Sequence, residues 1–260
     1  MTVAAGIVVA AALYGWGVAR LSARRLRLPA WRVVAFAAGL GTLAGAVLGP
    51  MDDLADASLA WHMVQHLLLL SVVPPLLLLG APIRVALGAL PANAATRVAR
   101  ALNSAPMRIV DNPLFGLLVF VVVLYGTHFS PLYEAALENE RIHAAEHALY
   151  LGAGLVYWSS ILAVAPAPHA ASHPARILTL FLSIPMSAFL GLTLYSSRTL
   201  LYPYYAGRPG ALADQAAAGE VMWLTAGVPV VVALLWCVLD WAAREQRIGD
   251  AFNRRAERAA

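Results

Sequence analysis

Seven mostly apolar stretches, at residues 2–19, 33–49, 58–80, 113–130, 143–165, 177–195 and 220–241, dominate this chain of 260 residues. Each comes within a few residues of the roughly 20 that an α-helix needs to cross the hydrocarbon core of a bilayer. None alternates apolar and polar residues as a barrel strand does, and a backbone in lipid must satisfy its own hydrogen bonds, so helices are expected throughout. Only 12% of the residues are charged, against about a quarter in a soluble domain. The expected fold is therefore all-α, a polytopic transmembrane helix bundle with seven spans. Residues 1–243 would form one membrane domain and 244–260 an Arg-rich cytoplasmic tail. The lipid bilayer is the implied environment, and nothing in the charge pattern points to nucleic acid.

Every basic residue is an arginine, and the distribution of the 18 sets an expected orientation. Basic residues of short loops are retained on the cytoplasmic side. With the N-terminus outside and the C-terminus cytoplasmic, fifteen arginines lie inside and only Arg141, Arg198 and Arg208 outside. The first span has no basic segment before it and reads as a retained helix rather than a cleaved signal peptide. Gly41, Gly45 and Gly49 recur every fourth residue and predict close approach of another helix. Pro74 and Pro75 predict a kink in the third span. Residues 81–112 read as an interfacial loop with one short surface helix.

Cys237 is the single cysteine and is expected in the core. It excludes an internal disulfide and any cysteine-based metal motif, so metal chemistry would rest on histidine, carboxylate or methionine. Two spans open with one pattern, His62-Met63-Val64-Gln65-His66 and His143-Ala144-Ala145-Glu146-His147. Residues three and four apart share a helical face, so each motif points two imidazoles and one further polar group the same way. Both spans run from outside to inside, which puts the motifs at one depth, and His128 joins them from the outer end of the fourth span. Polar groups inside a membrane are expensive, and five imidazoles at one face predict a zinc or copper site. Glu146 and Gln65 are candidate extra ligands, or partners that orient the rings. Met63 and Met222, with Met51, would favour Cu(I), although Met63 must point about 100° away from its neighbour His62. His66 and His147 would lie about 6 Å deeper than His62 and His143, giving an outer and an inner ring.

The simpler readings are that a lone histidine at a helix end is an interfacial residue, and that Glu146 complements a helix dipole. Asp52, Asp53 and Asp56 form a solvated outer turn whose charge would attract a cation. His169 and His173 sit among prolines and alanines and are assigned to a loop.

The run from His62 to Leu69, followed by Pro74-Pro75-Leu76-Leu77-Leu78-Leu79-Gly80-Ala81-Pro82, resembles the CtaG-type cytochrome c oxidase assembly factors of bacteria. Gly126 to Glu134, His143 to His147, and Asp214-Gln215 with Gly219 and Met222-Trp223 follow in that family's order. The resemblance runs from the second span onward. It implies a multi-pass protein of the bacterial plasma (cytoplasmic) membrane that assists maturation of haem-copper oxidases, with no catalytic turnover. Its cargo would be copper for the oxidase's buried copper centre, and its partner a cytochrome c oxidase subunit acting as copper acceptor. The family's histidines fall on His62, His66, His128, His143 and His147. The chain lacks the Cys-rich or Met-rich tract of a simple copper chaperone.

Three other classes compete. His143-x-x-Glu146-His147 matches the inverted zincin pattern of a zinc-dependent intramembrane hydrolase, with the glutamate as general base. Gln65 in the twin motif argues for binding instead. A haem protein would need histidines approaching one iron from opposite faces, hence from different helices. A scaffold whose histidines bind nothing is the fourth.

Overall fold

The computed structural model describes residues 2–259, except for the side chains at positions 2, 225–226, 255–256 and 258–259. Helices make up the bundle, and no strand occurs among the described residues. They are α1 (Thr2–Ala23), α2 (Ala30–Val47), α3 (Pro50–Ala57), α4 (Leu59–Leu67), α5 (Val73–Leu79), α6 (Pro82–Ala89), α7 (Ala92–Leu102), α8 (Ala105–Val110), α9 (Pro113–His128), α10 (Pro131–Glu138), α11 (Glu140–Leu162), α12 (His173–Ser196) and α13 (Ala211–Ala259). A π-helical turn, Leu68–Val72, joins α4 to α5, and a single 3-10 turn, Pro203–Tyr205, precedes α13.

Five helical stretches, Val3–Ala23, Ala30–Val47, Leu59–Ala89, His173–Ser196 and Ala211–Arg254, are long and apolar enough to cross a membrane, and α9 with α10, bent by 67°, adds a sixth. The stretch expected as the fifth span is α11, whose first two turns carry Glu140, Arg141, His143, Glu146 and His147. Those polar groups keep it below the apolarity of the other six. α11 packs against α9 and α5, α4 packs against α13, and α12 lies along α13. Apolar burial gains little between helices already in lipid, so the association rests on close packing and interhelical hydrogen bonds.

The third expected span shows how both devices work. Pro74 has no N–H and cannot bond the carbonyl four residues back, which belongs to Leu70. The ladder widens there into the π turn, and the indole of Trp158 on α11 donates to the freed Leu70 oxygen at 3.2 Å. Only a glycine admits so close a crossing, because a Cβ on Gly154 would lie 2.5 Å from that same oxygen. The expected kink is thus a local rewinding, one turn ahead of the prolines.

Several expectations need correction. Gly41 and Gly45 face open space, and the close approach in α2 is at Gly39, where a Cβ would come within 3.0 Å of the Leu77 backbone nitrogen. The buried face of α2 runs through Phe36, Gly39, Leu40 and Ala46, a different stripe from the one the glycine repeat marks. Residues 81–112 hold three helices instead of one. Of these, α7 buries no residue, whereas α6 docks on α1 through Val85, and Arg24 donates to the Gly88 carbonyl at 2.6 Å. His173 is not a loop residue: Pro174 is well suited to a first helical turn, so α12 starts ahead of the apolar run. The His173 ring, 8% exposed, lies 2.8 Å from Asp240. His169 does remain in the connection between α11 and α12. The Arg-rich residues after position 243 continue α13 without a break. Cys237 is buried in the core as expected.

Candidate metal centre

Caps place the two histidine motifs. The Ser58 hydroxyl accepts from Trp61 N at the start of α4, and Asn139 accepts from Arg141 N and Ile142 N at the start of α11. Each cap satisfies backbone donors that a helix end leaves free. Asp214 of α13 reinforces the first cap: one carboxylate oxygen accepts from the Ser58 hydroxyl and the other from Leu59 N, both at 2.6 Å. The motif of α4 is thereby tied to α13, a role sequence spacing gave no means of finding.

One turn apart on α4, His62 and His66 are 0% and 3% exposed, and their Nε2 atoms converge to 3.0 Å. Ligand atoms of His62, His66, His143 and Glu146 all lie within 4.8 Å of one another. His147 packs beside them, its ring centroid 4.1 Å from that of His143 and 5.8 Å from that of His66. The two motifs therefore form one cluster, not an outer and an inner ring.

Hydrogen bonds assign one of the imidazoles. The Tyr205 hydroxyl donates to the Ala55 carbonyl at 3.1 Å and faces His62 Nδ1 at 3.3 Å. With its proton engaged, the hydroxyl can only accept from His62, which makes Nδ1 the protonated nitrogen and turns the Nε2 lone pair into the cluster. Burial holds the Tyr205 phenol well above the ordinary phenol range, so that proton is present to be donated. His128 is held at both ring nitrogens. Its Nδ1 lies 2.8 Å from the Leu124 carbonyl and 3.1 Å from the Thr127 and Tyr150 hydroxyls, and its Nε2 faces the Met63 sulfur at 3.4 Å. Met63 does point away from the His62 ring, and what it meets is a third helix.

Five buried polar atoms of the cluster, His66 Nδ1, His143 Nε2, His147 Nε2 and both carboxylate oxygens of Glu146, have no hydrogen-bond partner. Buried polar atoms in native proteins are nearly always paired, and each left alone costs about 1–3 kcal/mol. Converging nitrogens and a carboxylate supply the donors that zinc or copper takes, so the residues fit a metal ion.

Tyrosines wall the cluster. Tyr150 stacks on His66 with centroids 4.3 Å apart, and Tyr133 lies 5.3 Å from His62 and 5.2 Å from His128. Tyr150 is seven residues beyond His143 on the same helical face, a signal the periodicity contained; Tyr205 sits in an irregular turn that carries no periodic signal. Gln65, paired with Glu146 by the repeat, donates through Nε2 to the Ala46 carbonyl at 2.8 Å and to Asp52 at 2.9 Å, fastening α4 to α2 and α3, while its Oε1 is buried without a hydrogen-bond partner. Asp53 and Asp56 are exposed on α3, and Met222 is buried in the core on α13.

Residues 12–244 match the family described as cytochrome c oxidase caa3 assembly factor (Caa3_CtaG). Among curated proteins, an uncharacterized protein of Mycobacterium bovis and one of Mycobacterium tuberculosis are each 27% identical over 267 residues, covering 98% of this chain and 40% of their own length. An uncharacterized protein of Mycobacterium leprae is 25% identical over 245 residues, covering 88% of this chain and 37% of its own. The chain thus spans about 40% of the length of the curated relatives it matches. No solved structure matches it. A family match that runs through all the histidine-bearing helices leaves one assignment: the chain belongs to the cytochrome c oxidase caa3 assembly factor family.

Proposed function

We propose that this protein is a membrane assembly factor for haem-copper cytochrome c oxidase that takes up copper at the histidine–glutamate cluster and passes it to an oxidase subunit. The observation that carries the reading is the set of unpartnered buried nitrogens and carboxylate oxygens on α4 and α11. His62, His66, His143 and Glu146 are the first ligands, with His147 alongside and His128 paired with Met63 as a softer neighbour. The thioether beside an imidazole nitrogen supports copper over zinc, because sulfur ligands suit Cu(I). Copper here is cargo, so its ligands must exchange. In this reading α11 completes seven spans, the N-terminus is outside, and the cluster lies at the extracytoplasmic face of the bacterial plasma membrane, where the arginine asymmetry puts it.

A zinc hydrolase built on His143-x-x-Glu146-His147 is less well supported. That mechanism keeps the two histidines on the metal and the glutamate on a bound water, whereas here Glu146 stands within the tight ligand group and His147 beside it.

The test is elemental analysis of detergent-purified protein after anaerobic loading with Cu(I), Cu(II) or Zn(II), wild type against a His62→Ala/His143→Ala double variant. Copper retained by the wild type and lost from the variant is expected. Equal retention in both proteins would overturn the site, and a preference for zinc would revive the hydrolase.

A further inference from the structure

At the other end of α11, about 22 Å from His147 at 1.5 Å per residue, the helices enclose a second space. A cavity of about 630 Å³ lies between α2, α5, α11, α12 and α13, lined by Trp31, Arg32, Trp158, Arg176, Trp236 and Asp240 among apolar neighbours. Its volume falls within the range of about 300–1,000 Å³ typical of small-molecule sites. Nothing in the proposed copper function uses it.

Two guanidinium groups line this cavity, and neither faces a carboxylate within ion-pair distance among the described residues. Arg176 is 5% exposed, on the first turn of α12. Its Nε donates to the Ile161 carbonyl, which closes the last turn of α11, and Trp236 lies against the guanidinium with the ring centroid 5.4 Å away. Capping α11 accounts for one of its nitrogens, yet Nη2 stays buried without a partner. Arg32 is half-buried; it donates to the Leu79 carbonyl at 2.9 Å and lies 4.5 Å from the Trp31 ring. The carboxylate at the rim, Asp240, is taken by His173 at 2.8 Å. Trp31 and Trp236 are 52% and 42% exposed, so two indoles flank the mouth on the surface that faces lipid. Tryptophans of this kind settle at the level of the headgroups.

We infer that this cavity binds an anionic phospholipid, with the phosphate against Arg176 and Arg32 and an acyl chain along the apolar wall. Charge complementarity selects the occupant. A neutral amphiphile would leave Arg32 and the unpartnered Nη2 of Arg176 without an anion, a zwitterionic one would bring a cation against them, and a free anion would leave the apolar walls unfilled. Basic pockets between transmembrane helices on the arginine-rich side of a membrane are suited to such headgroups.

Native mass spectrometry of the delipidated full chain in detergent tests the inference, with dioleoyl phosphatidylglycerol or dioleoyl phosphatidylcholine as titrant. One phosphatidylglycerol per chain is expected at a tenfold or greater advantage over phosphatidylcholine. Arg176→Gln should weaken that adduct fivefold or more. Because this change also removes a cap of α11, Ala233→Phe, which fills the cavity from its wall and leaves both arginines in place, should do the same while copper loading stays at the wild-type level. Equal binding of the two lipids, or an unchanged adduct in Ala233→Phe, would overturn the inference. Displacement of the lipid by an equal concentration of inorganic phosphate would overturn it too, marking a small-anion site.

Discussion

Tyr205→Phe isolates one idea, that the centre depends on a hydroxyl that never touches the ion. The change removes a single oxygen and keeps the ring that packs against Tyr204. That oxygen accepts from His62 Nδ1 at 3.3 Å while donating to the Ala55 carbonyl at 3.1 Å. Without it, His62 Nδ1 loses its hydroxyl partner, and the ring loses the contact that sets its tilt. Partners of this kind are worth about 10–100-fold in metal affinity, or roughly 1.4–2.7 kcal/mol. Loss of the Ala55 bond costs stability as well, about 1 kcal/mol, so affinity must be read on folded protein. The assay is a competition titration of Cu(I) against a chromophoric chelator under anaerobic conditions. Tyr202→Phe is the control, since that hydroxyl meets the His128 backbone carbonyl at 3.5 Å and no imidazole nitrogen. A Tyr205→Phe affinity within twofold of wild type, with the control equally unaffected, would refute the tautomer argument.

Three other outcomes are expected. Met63→Leu conserves volume and should cost less than about 1.5 kcal/mol of stability, yet it should lower Cu(I) retention while leaving Zn(II) retention unchanged in the same elemental analysis. Glu146→Gln should fold normally and bind copper at least tenfold more weakly; a protein that kept its metal and lost a hydrolytic activity would instead point to the zinc enzyme. Trp158→Phe should destabilise the bundle by about 1–2 kcal/mol in reversible detergent unfolding, because it strands the Leu70 carbonyl. Pro74→Ala in the same chain should reduce that loss, since an N–H at position 74 can pair the carbonyl from within the helix.

Much of this was legible from residues alone, for reasons that differ by element. The paired motifs of α4 and α11 are read from spacing, because three- and four-residue separations fix a helical face whatever surrounds it. His128 could be added because it sits at the end of an apolar run. The fates of Gln65 and Asp214 could not be read this way. Both form hydrogen bonds across elements, and Asp214 meets Leu59 from 155 positions away. The glycine repeat of α2 misled because small residues permit close approach without requiring it, and the partner helix passes along the stripe of Gly39 instead. His173 misled because composition around it resembles a loop, while its bond to Asp240 of α13 depends on how α12 and α13 pack.

The clasp between Asp214 and the start of α4 has a consequence in time. A ribosome makes both histidine motifs before residue 214. Until then α4 lacks its second cap, and the loop that carries Tyr205 has no α13 to anchor it. The frame that aligns the imidazoles is therefore complete only once the start of α13 is in place, and a chain stopped before it would display them unaligned.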